Sequence, residues 1–202
     1  MDSEQVAALA EILGPGGWMA ETREFARALR ASARTPGGLL LVGTPEEEPW
    51  HLTAHLDEES RLAALPELSP TLVRWRPPPG APAHLAVGLE RLEAARRGET
   101  LFVVSPAAAP VPLLERVDGA RHAGATILAL DQGDPDLDGL AHESLIVTAG
   151  RAPVSFDAAQ HLVSAAAGQA GGPAGGPAGG PAARRSLRER LARLLDQISG
   201  AP

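Results

Sequence analysis

The sequence predicts an α/β fold, a three-layer α/β/α sandwich around a five-stranded parallel sheet, and three observations carry that prediction. From Gly38 onward short apolar runs alternate with segments of helical periodicity, the pattern of successive crossover units. Three of the apolar runs are unbroken, without polar alternation, as expected of strands covered by helices on both faces. Pro112 opens a helical segment shortly after one of these runs, where its missing N–H would have had no partner anyway.

In chain order, helices are expected over Ser3 to Leu13 and Trp18 to Ala33, separated by the breaker Gly14-Pro15-Gly16-Gly17. In the second, Trp18, Phe25, Leu29 and Ala33 recur at helical spacing and should face a core. Strands follow at Leu39–Val42, Thr71–Trp75, Leu101–Val104, Thr126–Leu130 and Leu145–Thr148. The helices between and after them are Trp50–Leu65, Ala83–Arg97, Pro112–Ala123, Asp136–His142 and Ser155–Ala167. The repeat "GQAGGPAGGPAGGPAAR" has nothing that can form a core and reads as a linker. Residues 168–183 would reach about 22 Å as a flexible coil. The final segment, "RRSLRERLARLLDQISG", sets Leu187, Leu191, Leu194 and Ile198 on one stripe of a basic amphipathic helix that is marginal in isolation. The organisation is therefore N-terminal helices packing on the core (1–36), an α/β domain (37–167), a linker (168–183) and a tethered helix (184–199).

Composition narrows the function. The 202 residues suit one domain with an extension. Apolar residues reach 44% while aromatics are 3%, so the core must be aliphatic. The absence of cysteine excludes disulfides, thiolate metal sites and a catalytic thiol. A net charge of -7 opposes general affinity for nucleic acid. Five arginines from Arg184 to Arg193 stand against Glu189 and Asp196, which leaves the body more acidic than the whole. The start, "MDSEQVAALAEIL", lacks a basic opening and a continuous apolar core, and is read as retained. No apolar run approaches the roughly 20 residues that cross a bilayer. The expectation is a cytoplasmic protein with neither membrane nor nucleic-acid partners.

The stretch "GETLFVVSPAAAPVPLLERVDGARHAGATILALDQGDPDLDGLAHESLIVTAG", Gly98 to Gly150, runs strand, Ser-containing loop, helix ending in Ala-Gly-Ala, strand, short helix, strand. It resembles the sugar-isomerase (SIS) domain, and "VSFDAAQHLVSAAAG" resembles that family's helix after the fifth strand. Residues 38–97 match only in layout. The resemblance implies a flavodoxin-like sheet ordered 2-1-3-4-5, a phosphosugar ligand and, usually, a homodimer. In that order the crevice lies where the loops after strands 1 and 3 separate. The family's second loop follows a pattern close to Ser-x-Ser-Gly-x-Thr, whose hydroxyls and N–H groups hold the phosphate. Ser105 matches the leading Ser, whereas Ala107, Ala108 and Pro110 replace the second Ser, the Gly and the Thr. The first loop keeps Gly43 and Thr44 and then sets Glu46, Glu47 and Glu48 at the mouth.

Magnitudes weigh against a phosphate here. A carboxylate about 8 Å from a phosphate charge costs roughly 0.5 to 2 kcal/mol per charge pair. Each missing hydroxyl bond to a charged group forfeits about 1.5 to 3 kcal/mol. The positive end of the helix near Pro112 returns only about 0.3 to 1 kcal/mol.

The tentative ligand residues are thus Gly43, Thr44, Ser105 and Asp131, the last with helix or turn capping as its ordinary role. His51 and His55 lie four apart and would present two imidazoles to a metal, but an exposed helix face is the expected reading, with no metal. His161 would reach a pocket across a dimer as acid or base, or else pack at an interface. Trp50 would line the crevice or simply pack. Glu46 to Glu48 would include a base only if desolvated, and otherwise form a solvated helix start. No nucleotide-binding glycine motif, P-loop or serine elbow is present, so no cofactor is expected. The expected function is a non-catalytic, dimeric SIS-like scaffold or regulatory module with residual carbohydrate-derivative binding, its C-terminal helix engaging a protein partner. The alternative is a phosphosugar-binding protein or phosphosugar isomerase.

Overall fold

The computed structural model describes residues 17–148 and 154–169. Within them α1 (Trp18–Ser32) leads into β1 (Leu39–Val42), α2 (Trp50–Ala63), β2 (Thr71–Val73), the single turn α3 (Glu90–Glu93) and β3 (Thr100–Ser105). Then come α4 (Val111–His122), β4 (Thr126–Asp131), α5 (Pro135–Leu140), β5 (Glu143–Ile146) and α6 (Phe156–Gln169). The helix expected over Ser3 to Leu13 and the segment 184–199 lie outside the described residues, as does the linker from residue 170 on. α6 itself continues to Gln169, two residues into the stretch read as linker.

All five strands are parallel and ordered β2-β1-β3-β4-β5, as the resemblance implied. Side chains alternate across the sheet, so its two faces bury different sets. Leu40, Val42, Leu101, Val103, Ile127 and Ala129 join Leu92, Leu113, Val117 and Leu137 in one core under α3, α4 and α5. On the other face Phe102 meets Phe25 of α1 with ring centroids 5.4 Å apart. There Arg30 of α1 donates to the Ala167 carbonyl of α6 at 2.8 Å, and His55 of α2 touches His161 of α6. The three-layer sandwich is thereby complete, with the aliphatic core that the composition required. Among the described residues no helix is long and apolar enough to cross a membrane.

Three expectations need correction. The helix expected over Ala83–Arg97 is a 3-10 turn at Ala83–Leu85 and the single turn α3. An α-helix would need the Val87 carbonyl to accept from Arg91, but Arg74 N–H takes it at 2.9 Å, and Arg74 and Gly88 form a parallel bridge. The Glu90 carboxylate also accepts the Gly88 N–H at 3.2 Å, a local bond that competes with helix. The fifth strand begins two residues before the expected Leu145, because His142 clamps its start: His142 N–H donates to the Ile127 carbonyl at 2.8 Å, and Ile127 N–H donates to His142 Nδ1 at 2.9 Å. Finally, β3 and β4 each run one residue further than expected, which turns Ser105 and Asp131 into paired strand residues facing each other in the ladder.

Candidate functional site

The ends of β1, β3 and β4 carry the four tentative ligand residues, and each is already engaged. Gly43 sits where the chain doubles back: a Cβ there would collide with the Glu47 carbonyl and the Pro49 ring. Its own carbonyl accepts from Trp75 Nε1 at 2.8 Å. Close chain approach therefore explains this glycine without a ligand. Thr44 is buried in a closed loop, its N–H donating to the Glu47 carbonyl at 3.1 Å and its hydroxyl oxygen accepting the Glu47 N–H at 3.2 Å.

Ser105 is fully buried, and its hydroxyl donates to the Ala107 carbonyl at 2.6 Å. The family-like loop that follows is poor in donors, since Pro106, Pro110 and Pro112 have no N–H. Pro110 caps α4 without a side-chain bond, and its carbonyl takes the Leu113 and Leu114 N–H groups. The Ala109 N–H is bound to a carboxylate of the protein itself, Asp134 Oδ2 at 2.6 Å. Asp134 Oδ1 meanwhile caps α5, accepting from Asp136 and Leu137 N–H. One side chain thus ties the loop after β3 to the turn after β4.

Asp131 is fully buried. Its Oδ1 accepts the N–H groups of Gly133 at 2.5 Å and Asp134 at 2.9 Å, so it caps the turn as its ordinary role required. Its Oδ2 has no hydrogen-bond partner among the described residues. Burial pushes the carboxyl up from its ordinary value, with the nearby Asp138 and Asp134 charges adding to the effect against the two backbone bonds.

A cleft of about 420 Å³ opens elsewhere, between the starts of α2 and α6, and includes none of these four residues. Glu47, Glu48, Trp50, His51, Asp157 and Gln160 line it together with Pro49. Glu48 is paired with Arg74 at 2.8 Å, both side chains being largely buried. The Arg74 guanidinium in turn lies 4.5 Å over the Trp50 ring, which is still 42% exposed. The acidic run is therefore divided: Glu48 is neutralised in a structural pair, while Glu46 and Glu47 face solvent. Trp50 lines this cleft and packs under Arg74 at once.

His161 faces α2 of its own chain. Its ring centroid lies 4.3 Å from that of His55 and 6.5 Å from that of His51. Burial, then the neighbouring His55, lowers its pKa, against an opposing pull from Asp157. Although three imidazoles converge, among the described residues no group of three or more His, Asp or Glu is placed to hold a metal ion.

Sequence reasoning missed Asp134, Asp157 and Gln160. An aspartate directly before Pro135 is a readable helix start, so the capping role of Asp134 had a local signal. Its bond to Ala109 spans 25 positions and had none.

The two-sided helix cover and the order 2-1-3-4-5 define a doubly wound, flavodoxin-like α/β domain. Within that class the chain has the fold of sugar-isomerase-type structures. It is similar to a protein from Silicibacter pomeroyi DSS-3 assigned as a phosphosugar isomerase, with 15% identity and a TM-score of 0.51 over 82% of this chain and 48% of that one. It is also similar to a protein from Salmonella typhimurium LT2 assigned as a sugar binding protein, with 15% identity and a TM-score of 0.50 over 87% of this chain and 55% of that one. The chain thus spans about half the length of each. No protein-family model and no curated protein matches it.

Proposed function

We propose that this chain is a non-catalytic SIS-like module that acts as a scaffold or regulator, and that its β3 loop holds no phosphosugar. The observation that carries the reading is the bond from Ala109 N–H to Asp134 Oδ2. An anion seated on this loop would have to displace a carboxylate that the protein supplies, and would meet prolines where further N–H donors are needed. The stripe Leu187, Leu191, Leu194 and Ile198 supports a docking role, because a linker gives a weak helical segment a high local concentration for its target. A homodimer is part of the proposal, with the tail engaging the partner protein.

The test is a titration of the full chain with glucosamine 6-phosphate and fructose 6-phosphate, read by thermal shift and by backbone amide NMR. No saturable change at Ser105 to Val111 is expected at millimolar ligand. Micromolar binding there would favour the second reading, a phosphosugar binder or isomerase, which the assignments of the two similar structures support. Deleting residues 183–202 and measuring sedimentation separates a tail that holds the dimer from one that docks elsewhere.

A further inference from the structure

α6 meets α2 through a cluster of imidazoles that takes no part in the β3 loop. The His161 ring of α6 lies 4.3 Å from that of His55 and 6.5 Å from that of His51, centroid to centroid, and His51 and His55 are one turn apart on α2. Beside His161 the residues Ala158, Ala159, Leu162 and Val163 are buried, so the first half of α6 is held by apolar contact and by rings that pack well only while uncharged. The other end is tied differently. Arg30 of α1 donates to the Ala167 carbonyl at 2.8 Å, and Gly168 packs against the Glu59 side chain of α2 without room for a Cβ. Nearby carboxylates do little to bridge the two helices. Glu58 stands 3.9 Å from His55 Nδ1 on the same helix, and Asp157 acts on His161 from within α6, so both pairs survive a separation of α2 from α6. Glu48 is committed to Arg74, and Glu47 lies just ahead of α2 and moves with His51. Across the contact, Asp157 shares the cleft wall with His51 and opposes the repulsion there.

We propose that the α2/α6 contact is a proton-operated latch: acidification charges His161 together with His55, and the first half of α6 lifts away from α2 while its Arg30 end stays tied. Two imidazolium charges 4.3 Å apart repel enough, even at the dielectric of bulk water, to raise the opening equilibrium about fivefold, and more where protein replaces the water. His51 adds a third charge 6.5 Å away. Burial, and then His55, hold the pKa of His161 below its ordinary value in the closed state, and opening returns it toward that value. The closed state is therefore fully favoured above about pH 6.5 and loses that advantage as pH falls through the closed-state pKa. Lifting exposes Ala159, Leu162 and Val163, so proton uptake is linked to an apolar surface that the closed protein hides. The latch operates whatever the β3 loop binds.

Hydrogen exchange of the full chain at pH 7.5 and 5.5, corrected for intrinsic exchange rates, tests the latch. Protection of residues 156–163 should fall about fivefold or more at pH 5.5 relative to β3 and β4, with a smaller change at 164–169. His161→Gln should remove this response and leave 156–163 protected at both pH values. His55→Gln, at a half-exposed position that the fold tolerates, should reduce the response and, in a histidine NMR titration, raise the pKa of His161. His84→Gln, in an exposed turn remote in sequence from both helices, should respond as the native chain does. Equal protection of 156–163 at the two pH values would overturn the latch. So would a loss spread evenly over α6, β3 and β4, which is global unfolding, or a native response retained in both the His161 and His55 variants. A His161 titration unmoved by His55→Gln would overturn the coupling of the two rings and the proposal with it.

Discussion

Replacing Asp134 separates its two jobs. Asp134→Ala removes the cap of α5, worth about 1 kcal/mol, and strands the nearly buried Ala109 N–H, worth about 1 to 3 kcal/mol. The expected loss is about 2 to 4 kcal/mol, a drop of roughly 5 to 12 °C in melting temperature for a domain of this size. Asp134→Ser keeps a capping oxygen but cannot span to Ala109, so it should lose only the second part. Urea denaturation of the three proteins measures the split. The alanine variant also frees a donor and deletes a negative charge, so inorganic phosphate at millimolar concentration should raise its melting temperature and leave that of the native chain unchanged. If the serine variant is as stable as the native chain, the Ala109 bond contributes nothing. If phosphate fails to stabilise the alanine variant, the carboxylate is not what excludes anions from the loop.

Gly43→Ala should destabilise by about 1 to 3 kcal/mol, since its Cβ meets the Glu47 carbonyl and the Pro49 ring; calorimetry checks this. Arg74→Met leaves the largely buried Glu48 without its partner and uncovers Trp50, so a loss of about 2 to 4 kcal/mol in urea titration is expected. The native pKa of His161 lies below its unfolded value, so the neutral ring contributes stability that is full above about pH 6.5 and is lost as pH falls through the native pKa. His51, His55 and Asp157 face it, and the difference between the native chain and His161→Gln at pH 7.5 and 5.5 isolates its part. Asp131 has the opposite sign: its native carboxyl takes a proton at higher pH than the unfolded one, so acidification from the native pKa toward 3.8 favours the folded state. Carbon-13 NMR titration of Asp131 would contradict this if the carboxyl titrated at or below its ordinary value.

What the sequence made legible follows from locality. Burial on both faces demands aliphatic runs, so β1, β3 and β4 could be read directly. Their ends could not, because Ser105 and Asp131 are polar residues that stay in the ladder, paired with each other. β5 lies at the sheet edge, where Glu143 is exposed, so no apolar run marked its start. The segment 83–97 carries helical residues, but a contact with Arg74 captured its middle and overrode that preference. At the site, the loss of donors was written in the composition of residues 105–112. The arrangement that replaces them joins positions 25 apart, and the cleft joins α2 to a helix some hundred residues later. No local pattern reports such contacts.

A doubly wound sheet leaves polar groups at the carboxyl ends of its strands, and something must satisfy them. A ligand can do this, but then the free protein carries the cost of incomplete bonding. In this chain the protein does it alone: Ser105 bonds Ala107, Thr44 bonds Glu47, Trp75 bonds Gly43 and Asp134 bonds Ala109. A loop completed in this way gains little from any anion, whatever its shape, because each new bond replaces one already made. At this end of the sheet the exception among the described residues is Asp131 Oδ2, and its burial is expressed as a raised pKa and not as an opening to solvent. Binding energy is available where polar groups are both incomplete and reachable, and the bonded groups of Thr44, Ser105 and Ala109 are not incomplete.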